Sequence, residues 1–324
     1  MINLGKELHE KFLEVLKEKI PERGKTASFL IDLLFIEKEA VYRRLRGEVP
    51  FTFAEIALIT RKLNISLDSI LEVVPTYRGQ SYRLYGQDFF NLTEVDLTMS
   101  RDYVASIRAA SRNEYSEFGF AASIIPMHFS VRFQLIFRLY MLKWMYQFGG
   151  NPNLTLPYGK IEIEEKLREI HLQYLKEIET IKYTYFIWDE LLIFYITNDI
   201  KYFNSIQLIS NEEVALIKEE LSSFLTYLER LSYTGKYDTG NAVEVYVSNL
   251  NFETTYSYLT SNNFALAMIS TFTLSAGTSL EPEACENMRM WLHSLKRTST
   301  LISTCSEIDR ATFFRKQREY LDRI

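Results

Sequence analysis

The chain is 324 residues long, 47% apolar and 24% charged, with a net charge of −5. That balance excludes intrinsic disorder, and the length allows two or three domains around a substantial core. A net acidic chain is not coated in nucleic acid, so any phosphate contact must come from locally placed cations.

The opening MINLGKELHEKF has neither an unbroken apolar run nor a small-residue cleavage site, and no secretory signal is expected. Residues 4–20 predict a first helix, with Leu8, Phe12, Leu13, Val15, Leu16 and Ile20 on one face. Glu10, Glu14 and Glu18 form a negative column on the other side, which should point away from phosphate. Pro21 and Gly24 break the pattern. Thr26 is the expected N-cap of a second helix that buries Phe29, Leu30, Leu33 and Leu34. A third helix runs from about residue 37 to Gly47, which can take the left-handed conformation that ends it, and Pro50 bars continuation. Thr52 and Glu55 form a capping box for a fourth helix with Ile56, Ile59 and Leu63 inside. Ser66 caps a short fifth helix containing Leu67, Ile70 and Leu71, and Pro75 closes the unit.

On a wheel of about 100° per residue, Val41 and Leu45 of the third helix share the packed side. Glu39, Tyr42, Arg43 and Arg46 gather opposite, and Arg44 falls near the edge of the packed side, where a structural or phosphate-facing role is expected. Arginine offers a planar fork of donors that fits guanine O6 and N7, or two phosphate oxygens. Tyr42 can donate to phosphate or cover a thymine methyl. Glu39 can accept from cytosine or hold Arg43 at i, i+4. Lys25, Thr26, Lys38, Arg61 and Lys62 lie near helix ends as candidate phosphate-positioning groups. Residues 1–75 hold twelve Lys and Arg against twelve Asp and Glu, so the whole deficit lies beyond them.

Arg46-Gly47, Pro50 and the run Leu63-Asn64-Ile65-Ser66-Leu67-Asp68 resemble the end of a lambda-repressor-like, Cro-type helix-turn-helix domain. The resemblance covers residues 8–72, under a quarter of the chain. It implies a five-helix DNA-binding domain whose third helix enters the major groove. The sequence departs from the family at Lys25-Thr26-Ala27-Ser28, where Gln is usual. It departs again at Leu30 or Ile31, where a small residue is usual, and in the turn Leu34-Phe35-Ile36, where Gly is usual. The spacing from Val41 to Leu45 is one residue longer than the common pattern.

Beyond Pro75, residues 77–92 read as a polar-aromatic connector, and 93–113 as a helix that could form a dimer. Residues 118–125 read as a loop or strand, and 127–148 as one long apolar helix ended by Gly149-Gly150-Asn151-Pro152. Arg132, Arg138 and Lys143 exclude that stretch as a membrane span. Helices follow over 161–182, 185–203 and 211–231, the last capped by Ser210 and Glu213. The middle one, with Trp188, Ile193, Phe194, Ile196 and Ile200, is expected at the centre of a helical bundle. Val243, Val245 and Val247 alternate with polar residues, and 254–259 and 264–274 also read as strands around the turn Ser261-Asn262-Asn263. Closing helices are expected over 282–296 and from 307 onward. No fixed-period repeat is evident.

The expected fold is therefore mainly α. An N-terminal helix-turn-helix domain (1–75) precedes a linker and central helical bundle (76–239). A small α+β module with an antiparallel sheet (240–324) follows, for sensing or dimerisation. No phosphate-cradling glycine loop and no nucleophile elbow occur, and His9, His128, His171 and His293 are scattered. Asp189-Glu190, in an apolar stretch read as helix, is taken as a helix-end or solvent-facing pair in preference to a buried carboxylate site. The polar run Ser299, Ser303, Glu307 and Arg310 is read as a cap and an ion pair joining the last two helices in preference to a ligand or partner site. Cys285 and Cys305 read as reduced thiols of a cytoplasmic protein. No cofactor, metal or catalysed reaction is expected. The expected partners are double-stranded DNA, a second copy of the chain, and a small-molecule or protein effector, with no membrane. A protein-interaction adaptor that keeps the fold without binding DNA is the alternative.

Overall fold

A computed structural model describes residues 2–20, 23–63, 65, 67, 70, 80, 82–85, 93–148, 156–271 and 273–324. The chain divides into two compact units, Met1–Gly79 and Gln80–Ile324.

The first unit contains α1 (Ile2–Lys19), α2 (Arg23–Leu34), α3 (Lys38–Leu45) and α4 (Phe53–Leu63). Phe12, Leu16, Leu30, Val41, Phe51 and Ile59 form its core, with the Phe12 and Phe51 rings edge to face at 5.3 Å. Leu67 and Ile70 are helical, while Ser66, Leu71 and Pro75 lie outside the described residues, as do Pro21 and Asn64. Thr26 is not the cap of α2. The helix begins at Arg23, and Thr26 is buried within its first turns, donating from Oγ1 to the Ile20 carbonyl at 3.1 Å. The turn between α2 and α3 places Phe35 in the left-handed region with φ 53°, a conformation that favours Gly.

The second unit corrects the expectation of a helical bundle followed by a small sheet module. Among the described residues it is built on one mixed eight-stranded sheet in the order β1-β7-β6-β5-β2-β3-β4-β8. The strands are β1 (Arg83–Tyr85), β2 (Glu117–Ala122), β3 (Tyr183–Trp188), β4 (Ala242–Ser248), β5 (Tyr256–Ser261), β6 (Phe264–Thr271), β7 (Ser275–Ser279) and β8 (Ser299–Leu301). β2, β3 and β4 are parallel, and the remaining pairings are antiparallel. Strands from both sides of residue 239 thus enter the same sheet.

Parallel strands need long crossovers, and helices supply them. α5 (Glu94–Ser111), with a Thr93–Asp96 capping box, precedes β2. α6 (Met127–Ser130), α7 (Gln134–Phe148) and α8 (Glu165–Ile178) join β2 to β3. α9 (Leu192–Ser205) and α10 (Asn211–Thr234) join β3 to β4, and α10 keeps its expected Ser210–Glu213 capping box. α11 (Pro282–Arg297) and α12 (Glu307–Leu321) flank β8. The apolar run over 127–148 is broken between α6 and α7, and the Gly149-Gly150-Asn151-Pro152 stop lies outside the described residues. No helix among the described residues is long and apolar enough to cross a membrane.

The two faces of the sheet bury different cores. Phe118, Phe120, Phe186, Trp188, Val243 and Val245 pack under the crossover helices. Tyr185, Ile187 and Tyr258 pack with Leu292 and Leu295 of α11 on the other face. That second face carries a tyrosine network. Tyr185 donates to the Tyr258 hydroxyl at 3.1 Å, and Tyr258 donates to Glu117 at 2.6 Å, with His293 Nε2 3.1 Å from the same carboxylate oxygen. Lys296 donates to Glu244 at 2.7 Å and lies over the Tyr183, Tyr185 and Tyr246 rings. Gly119 makes room for these rings. A Cβ there would come within 2.4 Å of the Tyr258 ring and 2.5 Å of the Tyr185 hydroxyl.

Two smaller expectations also change. Residues 299–301 form β8, and buried Arg310 donates to the carbonyls of Ile302 and Cys305 at 3.1 and 3.3 Å instead of joining an ion pair. Buried Asp189 follows β3 and accepts from the Leu191 amide at 2.7 Å, while Glu190 pairs with Lys316 at 2.7 Å.

Candidate nucleic-acid interface

α3 is held from both ends. Gly47, with φ 77°, closes it: the Gly47 amide donates to Arg44 O at 3.0 Å, and the Glu48 amide to Arg43 O at 2.9 Å. This paired arrangement satisfies carbonyls that a helix end leaves without partners. His9 donates from Nε2 to the Arg44 carbonyl at 3.2 Å, tying α1 to the same end.

The packed side of α3 consists of Val41, which is fully buried, and half-buried Leu45. Arg44 belongs to this side. It grips Glu55 through two nitrogens at 2.9 and 3.1 Å and donates to the Ala40 carbonyl at 3.2 Å. Glu55 is also the third residue of the expected capping box, accepting from the Thr52 amide at 2.7 Å while its own amide donates to Thr52 Oγ1. Burial alone would raise the Glu55 pKa, but the Thr52 amide and then Arg44 outweigh it and hold the carboxyl below its ordinary value. One carboxylate thus starts α4 and fastens the end of α3 to it.

The opposite side of α3 exposes Lys38, Glu39, Tyr42, Arg43 and Arg46 together. Lys38 lies 5.9 Å from the Tyr42 ring centre. Glu39 does not hold Arg43, as the i, i+4 spacing suggested. It pairs with Arg46 at 3.0 Å, and Arg46 also donates to Glu48 at 2.6 Å. Arg43 lies 3.6 Å from the same Glu48. Hydrogen bonds from Arg46 lower the pKa of Glu48, and Glu48 and Glu39 in turn raise that of Arg46. The sequence reading did not include Glu48, although its place two residues after Arg46 was a usable signal.

Of the remaining candidates, Lys25 is exposed in the first turns of α2, and Arg61 and Lys62 are exposed in the last turn of α4. Buried Thr26 drops out of the exposed set. Elsewhere, His171 is half-buried, and desolvation lowers its pKa to about 4. The His128 side chain lies outside what is described. Cys285 is buried on the inner face of α11 and Cys305 is exposed.

Residues 10–105 match the BetR domain, a helix-turn-helix-type regulatory domain. The match runs from Glu10 in α1 into α5, under a third of the chain. No curated protein and no solved structure matches the chain.

Proposed function

We propose that the protein is a sequence-specific, DNA-binding transcriptional regulator of the cytoplasm that catalyses no reaction. Two copies pair through residues beyond 92, and the sheet-containing unit serves sensing and dimerisation. The carrying observation is the division of α3: Val41 and Arg44 lock one side, which leaves Tyr42, Arg43, Arg46 and Lys38 exposed together on the other. The Cro-type reading draws further support from the Arg46-Gly47 ending of α3. A single unit of this size touches few bases, so pairing on half-sites one helical turn apart fits the class.

The charge arrangement defines what binding has to overcome. Arg46 already bonds Glu39 and Glu48, so a guanine or phosphate must displace those carboxylates. This observation also favours the second reading, a protein-interaction adaptor whose helix-turn-helix unit binds no DNA. The two readings separate in one experiment. Full-length protein is used to select sequences from random duplex DNA, and the enriched site is tested in shift assays. A regulator enriches a two-fold symmetric motif, and its affinity falls steeply with salt. Arg43→Ala and Arg46→Ala each cost about 1–3 kcal/mol of binding, whereas Glu48→Gln tightens it by releasing Arg46. Failure to enrich any sequence leaves the adaptor.

A further inference from the structure

A cleft of about 460 Å³ opens in the second unit at the carboxyl ends of β2 and β3, where the parallel half of the sheet meets antiparallel β5. In open α/β sheets this edge is where small ligands bind, and the volume suits a small molecule. The walls come from α7 and α9, joined by a Lys143–Asp199 ion pair at 2.6 Å. Tyr140, one turn before Lys143, lines the cleft at 5% exposure. The Ile125 amide lies near its oxygen, but its O–H has no acceptor among the described residues. Burial, and then the charge of Asp199, raise this phenol far above its ordinary value, so it remains a donor. Glu253, from the segment entering β5, and the half-exposed rings of Phe148 and Tyr195 also line it.

The lining selects a chemistry. Lys143 and Asp199 already neutralise each other, and a charged ligand would have to part them at a cost. Glu253 adds negative charge that repels anions. A neutral ligand with several hydroxyls meets both halves of the pair, because each hydroxyl donates and accepts. It gives Tyr140 the acceptor it lacks, and its C–H faces can lie on Phe148 and Tyr195. We propose that this cleft binds a neutral, polyhydroxylated molecule of about monosaccharide size. Its role as the effector rests on the regulator reading above, but the binding itself does not.

The test uses the full-length protein without DNA, titrated with D-glucose, D-galactose, D-ribose and myo-inositol, and followed by thermal unfolding and calorimetry. At least one should raise the melting temperature saturably, by about 3 °C or more at a hundredfold excess over Kd. Asp199→Asn and Tyr140→Phe should each weaken that binding about tenfold or more. Tyr140→Phe should leave the unliganded melting temperature within a few degrees of wild type, since the only hydrogen-bonding group near its oxygen among the described residues is the Ile125 amide, and this separates lost binding from lost folding. No response to any of the compounds overturns the proposal. So does a response that survives both substitutions, or saturable binding of glycine, lysine or glucose 6-phosphate in place of the neutral compounds. Shift assays on the selected DNA site, with and without the bound sugar, are scored separately. Unchanged DNA affinity leaves the site standing and removes its effector role, while absent DNA binding counts against the regulator reading alone.

Discussion

Phe35 combines a left-handed backbone, φ 53°, with 90% exposure of the residue. A Cβ is unfavourable in that conformation, and so exposed a ring returns little packing energy. Replacement by glycine should therefore stabilise the first unit by about 0.5–1 kcal/mol, less whatever glycine adds to the freedom of the unfolded chain. In a unit of this size that is a rise of about 4 °C, measurable by circular dichroism melting. A fall would mean that the Phe35 ring contributes packing beyond its visible contacts. The three arginines of α3 make a related point. Their identities are alike, yet one turn of the wheel makes Arg44 a strut and leaves Arg43 and Arg46 at the surface. Helical spacing alone was enough to separate them. The pairing of Arg46 with Glu48 was not readable in that way, because it depends on how the chain leaves the helix at Gly47.

At the scale of elements, the junction of α3 and α4 depends on Glu55. Replacing it with alanine removes the capping box and leaves Arg44, only 16% exposed at its side chain, without its carboxylate. The expected cost is about 2 kcal/mol or more, read by urea denaturation. Glu55→Gln should cost less, since its side-chain carbonyl can still accept from Thr52. Acid should reproduce the effect. Because the folded pKa of Glu55 lies below its unfolded value, its contribution is complete above about pH 4.3 and is lost as pH falls through the folded pKa. The wild-type protein should therefore lose more stability between neutral and acid pH than Glu55→Gln, and equal slopes would remove Glu55 from this role. Both halves of the clamp were legible as types, the capping box from Thr52 and Glu55 and the packed edge from Arg44. Their union was not, because the two lie eleven residues apart across a turn.

At the scale of the molecule, the two units have separate cores, so damage to one need not spread to the other. Gly119→Ala tests this. A methyl group on β2 would collide with Tyr185 and Tyr258, both fully buried, and the neighbouring strands leave the backbone little room to give. The second unit should lose roughly 1–3 kcal/mol or more, visible as an earlier tyrosine-rich unfolding step. Amide exchange in α1–α4 should stay unchanged. Loss of protection in both units together would show that they unfold as one.

The sequence by itself determined the helix-turn-helix unit, because one amphipathic face, the Thr52–Glu55 capping box and a stop glycine are local signals that neighbouring residues carry. It also determined that the β4, β5 and β6 segments are strands and that α10 is a capped helix, where the periodicity is clean, though not that β4 pairs parallel with β3. Only the tertiary structure decided that EFGFAA and YTYFIW are strands of the same sheet as those segments. Parallel strands covered on both faces lose the alternation that marks a half-buried strand, and a short apolar run then looks the same as a piece of buried helix. The cleft at their carboxyl ends was invisible for the same reason. It joins Lys143 to Asp199 across 56 positions of sequence, and only the crossover connections bring them within 2.6 Å.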